Sequence, residues 1–324
     1  MIAVIFSIAS LATVLVLLLY FFARADCDVT LFIVEKFGIK PRVLKNKVVW
    51  ITGASSGIGE ALAYELAVIG SKLVLSGTNE SKLNEVRKKC LAMNPTLKES
   101  DVLIVSFNMK EIDKHEEKMK QVLEHFDQID ILVNNAGRSQ RSSFEEIELE
   151  VHKELFEINV FGLINLTKLV MKHWYKTNFK GQLVVTSSIT GKLGAPYSTS
   201  YTASKHALHG YFEAIRLESY CRGLSVTIIC PGPVFSAILQ NAVRGKVGER
   251  VGGAAFSNDS KRMTAERCAY LMSVAIANKV DETWITEQPF LTIFYTTQYL
   301  PSLTRSFLCR YLTKERASEL RDGK

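Results

Sequence analysis

The chain has 324 residues, of which 47% are apolar, and a formal net charge of +7. That length can bury one large core or two small ones, while scattered basic residues balanced by 33 acidic ones speak against a nucleic-acid partner. Six cysteines, at 27, 90, 221, 230, 268 and 309, have no CxxC pair or metal-like spacing and read as buried or surface thiols.

The first element is an uncharged run from Ile2 to Ala23. A helix needs about 20 apolar residues to cross a bilayer core of about 30 Å, so residues 1–23 are expected to form a membrane anchor. Ala23-Arg24-Ala25 resembles a small-x-small cleavage site. The missing basic leader and the length of the run nonetheless favour a retained signal-anchor over a cleaved peptide. Arg24, Lys36, Lys40, Arg42, Lys45 and Lys47 all follow the run, and this charge bias favours a cytosolic position for the rest of the chain. Sequons at Asn79, Asn165 and Asn258 would be modified only in a lumen. Residues 24–46, punctuated by Gly38 and Pro41, read as a juxtamembrane linker.

From Lys47 the pattern alternates. Short apolar runs at Val48–Ile51, Lys72–Leu75, Val102–Phe107, Ile131–Val133, Leu183–Thr186, Val226–Ile229 and Thr283–Ile285 read as strands. Between them, Glu60–Ile69, Ser81–Met93, Lys114–Phe126, Leu149–Tyr175, Tyr201–Tyr220 and Ala265–Ala277 have helical period. Strands alternating with helices of this length predict a doubly wound parallel sheet, an α/β Rossmann-type fold, as a single domain over residues 47–288. Residues 289–324 form an aromatic, apolar flap and a charged tail. The flap reads either as an amphipathic segment on a bilayer surface or as a lid over the pocket.

Four signatures carry the chemistry. Thr52-Gly53-Ala54-Ser55-Ser56-Gly57-Ile58-Gly59 follows a strand and opens a helix, the setting in which glycines let backbone N–H groups approach a dinucleotide pyrophosphate. The second is Asn134-Asn135-Ala136-Gly137. The third, Ser188, stands thirteen residues before Tyr201, where its hydroxyl would hold a substrate oxygen; Ser187 is its competitor. The fourth is Tyr201-Thr202-Ala203-Ser204-Lys205: on a helix, Tyr201 and Lys205 share a face, and a nearby ammonium would bring the phenol toward working range. Asn159, set between Ile158 and Val160, would need partners if buried. After the second strand, Leu75-Ser76-Gly77-Thr78-Asn79 offers neither an acid for NAD nor an arginine for NADP. With no acid to repel a 2′-phosphate, and Ser56, Thr78 and Lys82 as donors, NADP(H) is favoured over NAD(H).

In this combination the chain resembles the short-chain dehydrogenase/reductase family, in its classical subgroup. The resemblance implies that Tyr201 is the acid–base catalyst, that Lys205 binds the nicotinamide ribose, and that Ser188 orients the carbonyl. It implies that Asn159 completes a proton relay, and that Asn135, Ala136 and Gly137 steady the sheet and flank the adenosine ribose. Thr52, Gly53, Ser55, Ser56, Gly57, Ile58, Gly59 and Thr78 fall on the family's cofactor loop. Pro231, Gly232 and Val234 match the loop that meets the carboxamide. Two positions depart from the pattern: Ser236 replaces the usual threonine, and Asn108 the usual aspartate near adenine.

The leading helix, Arg24-Ala25-Asp26 and Trp284–Phe290 resemble a membrane-attached subgroup of the endoplasmic reticulum linked to steroid and retinoid carbonyls. The implied activity is an NADP(H)-dependent carbonyl reductase for a lipophilic substrate. An NAD-dependent retinol or sterol alcohol dehydrogenase and a non-catalytic cofactor-sensing scaffold are the alternatives. The family also implies a homo-oligomer through the two long helices, with Val160, Leu163 and Leu166 as candidate apolar surface. No metal is expected.

Overall fold

The computed structural model describes residues 2–311 except 237, 239, 240 and 253–261. Seven parallel strands form one sheet: β1 (Val48–Thr52), β2 (Lys72–Ser76), β3 (Val102–Ile104), β4 (Ile131–Asn134), β5 (Gln182–Thr186), β6 (Ser225–Pro231) and β7 (Glu282–Ile285). Their spatial order is 3-2-1-4-5-6-7. The chain winds outward one way from β1 through β2 to β3, then restarts beside β1 with β4. That reversal leaves a crevice at the carboxyl ends of β1 and β4, where such sheets bind ligands.

The strands are apolar almost throughout because both faces are covered, as a parallel sheet requires. Val49 and Ile51 point into one core with α3 (Gly57–Ile69), α4 (Glu80–Met93) and α9 (Ala265–Ala277). Val48 and Trp50 point into the other with α5 (His115–Phe126), α7 (Gly162–Thr177) and α8 (Thr199–Ser219). The alternation of side chains along one strand thus separates two helix layers. The expected fold is present, with most element ends shifted by one to three residues.

The long helix expected over Leu149–Tyr175 is not regular. It comprises α6 (Leu149–Phe156), a π-helical turn at Glu157–Phe161, and α7. Ile158, Asn159 and Val160 are consecutive and all buried, which the wider turn permits. Val160, Leu163 and Leu166 are also buried within the chain's own core. They therefore supply no surface for an oligomer, correcting that expectation. Exposed apolar side chains include Phe161 on the π-helical turn and Leu217 on α8.

Residues 24–46 are not a loose linker. Asp28 caps α2 (Val29–Phe37) by accepting from Thr30 N and Leu31 N at 2.9 and 3.1 Å. Its other oxygen accepts from Thr283 Oγ1 and Trp284 N at 2.6 and 2.8 Å, tying the segment to β7. Arg267 on α9 closes the clamp through Asp26 (2.7 Å) and Glu35 (2.6 Å). At the other end, α10 (Phe290–Tyr299) buries Leu291 and Phe294 and sets Phe294 and Tyr295 against Trp284. It is a core flap on β7, whereas α11 (Pro301–Tyr311) leaves Leu303 and Phe307 exposed. Ile2–Arg24 is one helix, α1, several of whose side chains lie outside the described set. Among the described residues no helix is long and apolar enough to cross a membrane.

Candidate active site

The glycine loop leaves β1 and enters α3 with Gly53 and Gly57 at φ of 68° and 64°, a region that favours glycine. A methyl on Gly59 would land on the carbonyl oxygen of Gly53 and 2.5 Å from Asn135 Nδ2. Ser56, the residue before α3, makes no side-chain cap, so the first-turn N–H groups of α3 face the crevice uncapped. Ser55 Oγ lies 3.2 Å from where a side chain on Gly77 would begin, bringing the loop against the end of β2. Thr78 is exposed beyond it. Asn79 is engaged as the cap of α4, accepting from Lys82 N, so Lys82 lies in the first turn of that helix.

The Asn-Asn-Ala-Gly turn after β4 locks onto this loop. Thr52 Oγ1 accepts from Asn135 N and Ala136 N at 3.0 and 3.1 Å. Asn135 Nδ2 donates to the carbonyls of Thr52 and Gly53. Asn134 reaches the other way, to Thr167 on α7. Ser236, in the loop after β6, lies 3.1 Å from the side-chain position of Gly57, so that loop closes over the glycines. Within it, Val234 is buried and bridges to Met263, while Gly232 N donates to Ile285 O and Pro231 O accepts from Ser188 Oγ at 3.5 Å. Asn108 stands apart in a turn, accepting from Lys110 N through its side chain.

At the end of β5 the two serines separate. Ser187 Oγ donates to the backbone oxygen of Lys205 at 3.2 Å, so it is a structural bond between strand and helix. Ser188 Oγ accepts from Thr190 N at 3.1 Å, and its hydroxyl stands close enough to the Tyr201 phenol to favour the ionised form. Lys205 follows one turn along α8, its Nζ donating to Thr186 O at 2.7 Å and lying 5.7 Å from the Tyr201 ring centroid. Side chains from β5 and α8 thus converge where the sequence places them, at the carboxyl end of the central strands.

Asn159 is fully buried on the π-helical turn. Its Nδ2 donates to Arg138 O and Ser204 Oγ, and its Oδ1 accepts from Arg138 N at 2.8 Å. It therefore joins the β4 loop to α8, and Gly137 lies between it and Lys205: a side chain there would begin 3.4 Å from Asn159 Oδ1 and 3.5 Å from Lys205 Nζ.

Burial raises the Tyr201 phenol above its ordinary range, opposed by the nearby Ser188 hydroxyl and the positive charge of Arg141. This differs from the expected lowering by Lys205. Removing the phenolate from water outweighs its partners, and the Lys205 ammonium is engaged by a carbonyl. Burial also pulls Lys205 down to about 8. Arg141 was not legible as a site residue, because nothing in Gln140-Arg141 marks a contact made across the fold. A side-chain cluster beneath the site, His209, Glu213 and Glu282, has metal-like spacing among the described residues. Lys192 lies 2.9 Å from Glu282 and 3.7 Å from Glu213, which places a cation there already. The cavity of about 570 Å³ along the edge of β3 is lined by Glu80, Arg87 and Lys118 and is four strands from β5.

Residues 47–246 match the family model described as short chain dehydrogenase. The chain belongs to the short-chain dehydrogenase/reductase family. It is 44% identical to human dehydrogenase/reductase SDR family member 7 over 283 residues, covering 87% of this chain and 82% of that one. Among solved structures, an actinorhodin polyketide ketoreductase with NADPH is 27% identical with a TM-score of 0.56, covering 62% of this chain and 75% of that one. A short-chain dehydrogenase/reductase from Burkholderia phymatum, in complex with NAD, shares the fold at 24% identity and a TM-score of 0.67, covering 80% and 95%. Family membership makes the chain an oxidoreductase by descent.

Proposed function

We propose that this chain moves a hydride between NADP(H) and the carbonyl or alcohol of a lipophilic substrate, working chiefly as a carbonyl reductase. The observation that carries the reading is the Ser188–Tyr201 hydroxyl pair with Lys205 one turn away, at the carboxyl end of a parallel sheet. The glycine loop fits a dinucleotide: Gly53, Gly57 and Gly59 let it fold tightly against Asn135, Ala136 and Ser236, and the uncapped α3 N–H groups would meet the pyrophosphate. When bound, the nicotinamide supplies or accepts the hydride.

Within this reading, Ser188 orients the substrate oxygen and Tyr201 hands it a proton. A phenol raised by burial is protonated at neutral pH, which suits the acid needed for reduction. NADP is preferred because no carboxylate follows β2 to repel a 2′-phosphate, and Thr78 is exposed beside Ser55 and Ser56. The 24–27% identical solved relatives contain either NAD or NADPH, which supports a nicotinamide cofactor and leaves the choice to these residues.

Membrane attachment belongs to the same proposal. Its support is the uncharged run over Ile2–Ala23 and the exposed Leu303 and Phe307 on α11. An anchored enzyme of the endoplasmic reticulum, with its domain toward the cytosol, would draw an apolar steroid- or retinoid-like carbonyl compound from the bilayer. A homo-oligomer would use the exposed residues of the helical layers, such as Phe161 and Leu217. The test is Tyr201→Phe: cofactor affinity by isothermal titration stays within a few-fold, while turnover across a panel of steroid, retinoid and aromatic carbonyls falls by about 10²–10⁴-fold. Unchanged turnover would overturn the assignment, and tighter NAD than NADP binding would overturn the cofactor choice.

A further inference from the structure

The strand-like stretch after β4 is fastened to the segment that launches α8 by more bonds than a passing loop needs. Ser142 N donates to Tyr197 O at 3.0 Å, Ser198 Oγ to Gln140 O at 3.0 Å, and Gln140 Nε2 to Tyr197 O at 3.3 Å. On its other side, Arg141 N donates to Val243 O at 2.9 Å. Val243 packs in the small apolar cluster with Val151, Leu155 and Tyr201. At the centre of this stitching is the Arg141 guanidinium, whose Nη1 donates to Ser198 Oγ at 2.5 Å and to Pro196 O at 3.3 Å. Its Nε is buried with no protein partner. A half-buried cation held this way, with its buried Nε unpaired in the protein, is costly unless something nearby uses its charge.

We propose that Arg141 is a positioning residue for Tyr201: its guanidinium fixes the start of α8 through Pro196 O and Ser198 Oγ, three residues before Tyr201, and holds a cation on that side of the helix. This rests on the proposed function and deepens it by naming a second cation besides Lys205. The other groups around Tyr201 leave the role open to Arg141. From α6 come Val151 and Leu155, and Val243 from the segment beyond β6, all apolar. His152 bonds to Ser200 rather than to the phenol. Ser188 supplies a neutral hydroxyl, and Lys205 is bound to Thr186 O. Arg262 lies near enough to act on Arg141 as a like charge, while burial disfavours and Tyr201 favours the charged guanidinium. The effect is reciprocal: each of the pair stabilises the other's ionised form.

The test reads Tyr201 alone. Tyrosinate absorbance is followed against pH in the full-length protein, and the curve of the matching Tyr201→Phe variant is subtracted. Arg141→Gln keeps a donor for Ser198 but loses the charge, so the Tyr201 midpoint is expected to rise by about one pH unit or more. Arg141→Lys should restore most of that rise. A midpoint unmoved by Arg141→Gln, or moved equally by Arg141→Lys, overturns the proposal, because displacement of the loop would then explain it. Arg141→Met carries the same titration should the glutamine variant not fold. In a second measurement, oxidation of cyclohexanol is expected to drop several-fold at neutral pH in Arg141→Gln and to recover as pH rises. A drop of equal size at every pH would also overturn it. An enzyme that turns over no alcohol contradicts the proposed function, yet the absorbance titration still decides the pairing of Arg141 with Tyr201.

Discussion

At the glycine loop the decisive property is the room left by missing side chains, whereas at the β5–α8 corner every functional atom belongs to a side chain. Gly53, Gly57 and Gly59 let the backbone of one loop touch Asn135, Ser236 and the start of α3. Ser188, Tyr201 and Lys205 act through two hydroxyls and an amine on an otherwise ordinary strand end and helix. The first corner should therefore fail when atoms are added and the second when atoms are taken away. The two modes of failure should differ in what else they disturb.

Adding atoms at Gly59 should have the largest effect. In Gly59→Val the new Cβ meets the Gly53 carbonyl and Asn135 Nδ2 together, and backbone cannot give way as a flexible side chain would. Overpacking alone costs about 1–3 kcal/mol, and here the α3 entry and the β4 turn must shift as well. Thermal denaturation should show a drop of several degrees, with cofactor binding lost by titration. A stable variant that binds cofactor normally would break the contrast at its strongest point.

Taking atoms away at Lys205 should do the reverse to stability. Its ordinary value of 10.5 falls to about 8 through burial. Below pH 8 both folded and unfolded chains hold the proton, and the full desolvation cost is present. Between 8 and 10.5 the folded chain sheds the proton first, so stability gains with rising pH. The gap corresponds to about 3 kcal/mol, against about 1 kcal/mol for the lost bond to Thr186 O. Lys205→Met should thus melt higher than the parent at pH 7, lose that advantage toward pH 10, and turn over poorly throughout. An advantage constant with pH would show that the lysine is not held as a buried cation.

Asn159 belongs to neither mode, since its side chain is present but serves the frame. Asn159→Leu would strip Arg138 N and O of their Asn159 bonds and leave Ser204 Oγ with only its bond to Tyr201 O, a loss of about 2–3 kcal/mol. Chemical denaturation should register that loss, with turnover falling because the β4 loop is no longer tied to α8. Intact stability with lost turnover would instead assign Asn159 to the proton relay alone.

These residues also show what could be read from the chain and what could not. The sheet, its order of strands and helices, and the glycine loop rest on local patterns, so they were legible. Tyr201 and Lys205 were legible because four residues on a helix make one face. The choice of Ser188 over Ser187 came from the family resemblance, since the residues alone left both open; the structure separates them by which hydroxyl the helix backbone captures. Asn159 lies on a π-helical turn that leaves no trace in apolar period. The stretch 24–46 looked like a linker because Gly38 and Pro41 dominate it. Asp28 ahead of an apolar run was the overlooked cap signal, and its tie to Thr283 spans 255 residues. Arg141 is similar: its acceptors lie 55 and 57 residues away, a distance no motif reports.

The smallest effect should come from an exposed position, and it sharpens the contrast by adding a charge where neither space nor packing is at stake. Thr78 sits beyond the end of β2, exposed, next to the loop that carries Ser55 and Ser56. A carboxylate there would accept from ribose hydroxyls and repel a 2′-phosphate. Thr78→Asp should leave the unfolding stability within about 0.5 kcal/mol of the parent, as surface changes do. It should lower NADP affinity relative to NAD by about tenfold or more, equivalent to about 1.4 kcal/mol, as read by calorimetry with each cofactor. Because nothing clashes and nothing is removed, a selectivity that does not move would mean the 2′-position of the cofactor lies elsewhere. The preference for NADP would then have to come from Ser56 or Lys82 rather than from the missing acid.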